Sequence, residues 1–196
     1  MRPSPAALLL AVIIVAATAS GAAAHTFGAH GAGFAQGFAH PLSGIDHLLA
    51  MVAVGLWAAQ LGCRALWAVP AAFVGMMAVG GILGAVGAPL PMVELGIAGS
   101  LVVLGVLVAL SSRLPVAVSA ALVGLLALFH GHAHGTELPE TASALAYGLG
   151  FIAATAALHG IGIGIGVSLK RDAARILIRV GGTGIAATGL VLAAAL

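Results

Sequence analysis

Hydrophobic positions along this chain are gathered into long blocks, with polar residues confined to short interruptions between them. Six such blocks occupy residues 42–61, 65–86, 93–110, 116–130, 142–167 and 176–196. Most approach the roughly 20 residues that carry a helix across a bilayer. None shows the alternating stretches of about ten residues that mark a barrel strand. Gly62 to Arg64, the Gly87–Pro91 turn, Ser111 to Pro115, the polar stretch 131–140 and Lys170 to Arg175 separate them. The pattern predicts an all-α polytopic membrane bundle with six transmembrane helices in a single domain, residues 25–196. The run Gly160 to Gly166 alternates with Ile as a strand would, but its long apolar context predicts helix.

A further apolar block, residues 6–19, follows Arg2 and precedes Ala22-Ala23-Ala24. A positive start, an apolar centre and a small-residue cleavage site are the build of a signal peptide. Residues 1–24 are therefore expected to be a leader, cleaved after Ala24 or kept as an anchor. Both alternatives put residue 25 outside the cytoplasm.

Composition agrees with this architecture. Hydrophobic residues make up 62% of the chain and charged residues 6%, against about a quarter charged in soluble domains. So few charges cannot clothe a water-facing surface, so the lipid bilayer is the expected partner and nucleic acid is not. The single cysteine, Cys63, excludes an internal disulfide and a thiolate metal cluster.

With residue 25 outside, Arg64, Arg113, Lys170, Arg171, Arg175 and Arg179 all fall on the cytoplasmic side. This obeys the positive-inside rule throughout and predicts a bacterial inner-membrane protein with a periplasmic mature N-terminus. Asp46, Glu94, Glu137 and Glu140 fall on the outer side, with every His except His159. A mouth with acids and no fixed cations concentrates metal cations. Small-xxx-small spacings such as Gly80/Gly84, Gly160/Gly164 and Gly162/Gly166 predict close helix packing.

Two clusters carry the chemistry. The first, His40-Pro41-Leu42-Ser43-Gly44-Ile45-Asp46-His47, opens the first helix, with Pro41 in its first turn. Seven residues apart on that helix, His40 and His47 are expected to share a face two turns apart with Gly44 between them. Asp46 is placed to be a ligand or to orient an imidazole. The second cluster, Phe129-His130-Gly131-His132-Ala133-His134-Gly135-Thr136-Glu137, ends the fourth predicted helix. There His130, His134 and Glu137 share a face if the helix persists, or sit on a wrapping loop if the glycines unwind it. Glu94 joins the candidates because an ionisable residue in a membrane segment is a functional-site hypothesis by default. His132, His25 and His30 are weaker candidates. His159, deeper in the fifth helix, is either an exit-path ligand or a packing residue. Imidazole with carboxylate suits Ni²⁺, Co²⁺, Zn²⁺ or Fe²⁺ rather than Cu⁺.

The first cluster resembles the His-Pro-x-x-Gly-x-Asp-His signature of the HupE/UreJ proteins, and Phe129 to Glu137 resembles that family's second signature. The first is also similar to a motif of the larger nickel/cobalt transporter family. The resemblance spans essentially the whole mature chain. It implies a secondary permease for Ni²⁺ or Co²⁺ uptake from the periplasm, serving hydrogenase or urease maturation proteins. It implies metal handling by His40, Asp46, His47, His134 and Glu137, with Glu94 similar to the family's third-helix acid. The ion is cargo, and no prosthetic group is expected. No phosphate-binding loop is present, and no His-Glu-x-x-His or Gly-x-Ser-x-Gly, so an enzyme is not expected. The competing classes are a membrane cytochrome with haem-ligating His pairs, and a chaperone or sensor that binds metal without moving it.

Overall fold

The computed structural model describes residues 32–138, 143–168 and 172–196. Seven helices account for them: α1 (Ala32–Ser43), α2 (Ile45–Leu61), α3 (Ala65–Ala85), α4 (Val93–Leu110), α5 (Val116–Thr136), α6 (Ala144–Ser168) and α7 (Asp172–Ala194). No strand occurs among the described residues. Helices α3 to α7 each contain a stretch long and apolar enough to span a membrane, and the bent pair α1–α2 supplies a sixth span if counted as one. The proposed leader, His25, His30, Glu140, Lys170 and Arg171 lie outside the described residues.

The bundle is built for lipid. Trp67, Ile82, Val86, Leu110, Leu125, Ile176 and Val191 are all exposed on its perimeter. That is tolerable because the surrounding hydrocarbon is as apolar as they are. Helical backbone meanwhile satisfies its own hydrogen bonds, as hydrocarbon requires. Inside lie Met51, Trp57, Phe73, Leu101, Leu104 and Val123, fully buried.

Glycine sets the closest helix contacts. A Cβ on Gly131 or Gly135 would run into the carbonyls of Met77 and Gly81 on α3, and one on Gly80 or Gly84 would strike those of Leu128 and His132 on α5. Helices α3 and α5 therefore touch backbone to backbone. Gly160 and Gly164 behave differently, since a Cβ at either meets nothing. That pair is no packing seam.

Two expectations about helix ends need correction. The segment 40–47 is not one helix: α1 and α2 meet at an angle of 84° across Gly44, whose backbone is extended (φ −98°, ψ 120°). Pro41 accordingly sits in the last turn of α1 rather than a first turn. The Ser43 hydroxyl donates to the His40 carbonyl at 2.6 Å. Second, α5 does not stop at His130. It runs to Thr136, and the Glu137 amide still donates to the Ala133 carbonyl at 3.1 Å. Gly131 and Gly135 act as packing points against α3 and do not break the helix.

Charge separates by end. At one end the Trp57 indole donates to the Ser112 carbonyl at 2.9 Å, and the Gln60 amide to that of Val108 at 3.0 Å. Arg179 closes the same end by donating to the Ala109 carbonyl at 2.8 Å, with Arg64 and Arg113 in the adjoining connections. Asp46, Glu137 and the histidines of the site occupy the opposite end.

Candidate metal centre

The bend at Gly44 folds α1 back against α6 and delivers His40 to the same place as His47. They come together through the break, not through a shared helical face. Both rest on His134 of α5, with ring centroids 4.6 Å (His40) and 4.3 Å (His47) away. His47 also meets His130 edge-on at 4.8 Å. Four imidazoles from three helices thus form one contiguous group. Glu137, one turn beyond His134, sets Oε2 3.7 Å from His40 Nε2.

Burial deepens along this group. Glu137 is 59% exposed and His40 35% in their side chains. His134 and His47 are buried, and His130 is wholly inaccessible. The arrangement descends from the surface into the bundle.

Hydrogen bonds assign the free lone pairs. Asp46 Oδ1 lies 2.7 Å from His47 Nδ1 and accepts the backbone amide of His47 as well. A carboxylate can only accept, so Nδ1 carries the proton and Nε2 presents its lone pair. Nε2 has no partner. For His130, Nε2 sits 2.7 Å from the Ser100 hydroxyl, which itself donates to the Ile97 carbonyl at 2.6 Å. Nε2 is therefore the donor, and the unpartnered Nδ1 is the free lone pair. His134 has no partner on either nitrogen.

Leaving a buried polar atom unpaired costs about 1–3 kcal/mol, so several in one cluster need a compensating ligand. A cation that accepts imidazole lone pairs is such a ligand. One donor atom each from His40, His134 and Glu137 lie within 4.8 Å of one another. Ligands at about 2.1 Å from a shared ion stand roughly 3–4 Å apart, so small side-chain rotations close the set.

Other candidates lie apart. His132 directs Nε2 to the Ala88 carbonyl at 2.7 Å, tying α5 to the α3–α4 connection, while its buried Nδ1 has no partner and its ring touches none of the four clustered imidazoles. Glu94 is exposed in the first turn of α4, where a carboxylate complements the helix dipole. No ion pair or hydrogen bond among the described residues joins it to the cluster. His159 is buried elsewhere, 5.2 Å from the Phe73 ring.

Sequence reasoning did not single out the aromatic and hydroxyl groups that frame the site. Phe151 packs on His134 at 4.1 Å, and Tyr147, one turn earlier on α6, lies 6.0 Å from His40. Their i, i+4 spacing at the start of an apolar span was the available signal, as was Ser100 as a lone hydroxyl in the α4 run.

The family described as HupE / UreJ protein matches residues 12–192 of this chain. Among curated proteins, "Protein HupE" of Rhizobium leguminosarum bv. viciae is 50% identical over 165 residues, covering 84% of this chain and 86% of that protein. No solved structure matches.

Proposed function

The chain belongs to the HupE/UreJ family, and from that premise we propose that it is a permease that carries Ni²⁺ or Co²⁺ inward across the bacterial inner membrane for metalloenzyme maturation. The observation that supports this best is the group His40, His47, His130 and His134: His40 stands beside the exposed Glu137, and the unpartnered nitrogens of His134, His47 and His130 continue from it into the closed interior. A chaperone or sensor needs ligands at a surface. A carrier needs them at successive depths, as here.

The arginine-bearing end faces the cytoplasm in this reading, and the end bearing Asp46, Glu94 and Glu137 faces the periplasm. Those acids attract the hydrated ion. His40, His134 and Glu137 take it first, replacing water with imidazole and carboxylate. His47, held by Asp46, and His130, held by Ser100, then receive it on the lone pairs that those contacts leave free. Asp46 also supplies negative charge beside the ion, which lowers the cost of a divalent charge at this depth.

Vesicles containing this protein alone test the reading. Accumulation of radioactive Ni²⁺ or Co²⁺ inside them is the expected result. Tight binding without accumulation would instead make the protein a metal-binding chaperone or sensor.

A further inference from the structure

Besides His132, which bonds the Ala88 carbonyl, a second buried imidazole is unused by the outer centre. His159 lies on the buried face of α6, 2% exposed, and neither ring nitrogen has a partner. Its cost is the same as that of the unpaired groups above, yet it makes no ring contact with the four clustered histidines. What connects it to them is one side chain. Phe73 of α3, fully buried, stands 5.8 Å from His130, the most deeply buried imidazole of the outer centre. The same ring meets His159 edge-on at 5.2 Å and 89°.

A polar and a polarisable group lie one turn from His159 and from Phe73. Thr155, one turn before His159 on α6, directs its hydroxyl to Met77 Sδ at 3.8 Å, and Met77 lies one turn after Phe73 on α3. His159 also borders an open, largely apolar hollow of about 320 Å³ with Pro70, Val74, Ala156 and Gly160, the last two exposed on the flank of the bundle. Pro70 has no amide, so the Leu66 carbonyl one turn back lacks its usual helical partner.

We propose that His159 is a second ion station, inward of Phe73, which takes the metal from His130 when the Phe73 ring turns aside. The proposal rests on the permease reading. The closed ring keeps the two stations from being joined by a continuous open path, and the bare nitrogens of His159 give the ion a ligand after it leaves the outer centre. Helix packing alone would be served by any side chain of similar volume. A station requires a donor atom.

The test compares wild type with His159→Leu, His159→Gln and His159→Cys, reconstituted separately in vesicles. Inward flux of radioactive Ni²⁺ is measured beside calorimetric Ni²⁺ binding to the detergent-solubilised proteins. Leu and Gln are expected to cut flux at least ten-fold while leaving Ni²⁺ affinity at the outer centre within about two-fold of wild type. Cys, which restores a donor, is expected to recover part of the flux. Wild-type flux in the Leu variant would overturn the proposal. So would a parallel loss of outer binding and flux in all three variants, because His159 would then be a structural residue. Failure of the wild-type protein to carry Ni²⁺ would remove the permease reading and this proposal with it, whereas with a wild type that carries Ni²⁺ the variants report on His159 alone.

Discussion

Asp46 and His47 are neighbours in sequence, and one carboxylate oxygen of Asp46 accepts both the backbone amide and the Nδ1 proton of His47, each at 2.7 Å. The double contact fixes the ring's tautomer and its direction together. Replacing Asp46 by Asn keeps the shape but substitutes a neutral carbonyl for the anion. Groups that orient a metal-bound histidine are typically worth 10–100-fold in affinity. Asp46→Asn is expected to raise the Ni²⁺ dissociation constant by about that factor, with the protein still inserted at normal abundance. Calorimetry on the purified variant checks it, and unchanged affinity would mean that Asp46 does not act through the ion.

Gly44 makes this pair possible. A Cβ there would stand 2.7 Å from Asp46 Oδ1 and 3.2 Å from His47 Nδ1, so even alanine pushes into the hydrogen bond. Gly44→Ala is expected to abolish most Ni²⁺ uptake without reducing membrane abundance. Gly164→Ala is the contrasting case, because a Cβ at Gly164 meets nothing. It is expected to leave uptake unchanged and to stabilise α6 by about 0.5–1 kcal/mol. Equal transport by both variants would show that a Cβ at position 44 leaves the Asp46–His47 contact intact.

The helical, lipid-facing architecture is legible from the sequence because block length and scarcity of charge leave few alternatives in a membrane. The convergence of His40, His47, His130 and His134 is legible only in outline. Each histidine is visible in a motif, but which rings touch depends on an 84° bend that no periodicity records. Gly44 invites a smooth helix as readily as a break. His132 shows a different difficulty: it sits between two cluster residues in sequence, and only the position of the Ala88 carbonyl reveals that its ring is engaged elsewhere. Gly131 and Gly135 leave helix and wrapping loop equally open in the sequence, and the close approach of α3 makes them seams within a continuous helix.

His132 and His134 therefore separate structure from ligation. Loss of the His132 hydrogen bond is expected to cost about 1 kcal/mol at the α3–α4 connection, so His132→Ala should lower the thermal midpoint in detergent while leaving Ni²⁺ affinity near wild type. His134→Ala removes the ring on which His40 and His47 converge, and it should abolish measurable Ni²⁺ binding with a much smaller effect on the midpoint. The reverse pattern would place the centre around His132.

Acid should oppose uptake. Protons and Ni²⁺ compete for the same imidazole lone pairs, and metal binding requires neutral histidine and ionised carboxylate. Lowering the pH protonates both ligand types and adds positive charge where a dication must enter, so both effects have the same sign. Initial uptake at subsaturating Ni²⁺ is expected to fall as external pH drops from about 7.5 to about 5. Raising the Ni²⁺ concentration should restore much of the rate, because the competition is for one set of atoms. His132→Ala should leave the profile unchanged, since Nε2 of that ring is held by the Ala88 carbonyl, away from the four clustered imidazoles. A flat profile in wild-type vesicles would count against ligation by imidazole, whichever residues supplied it.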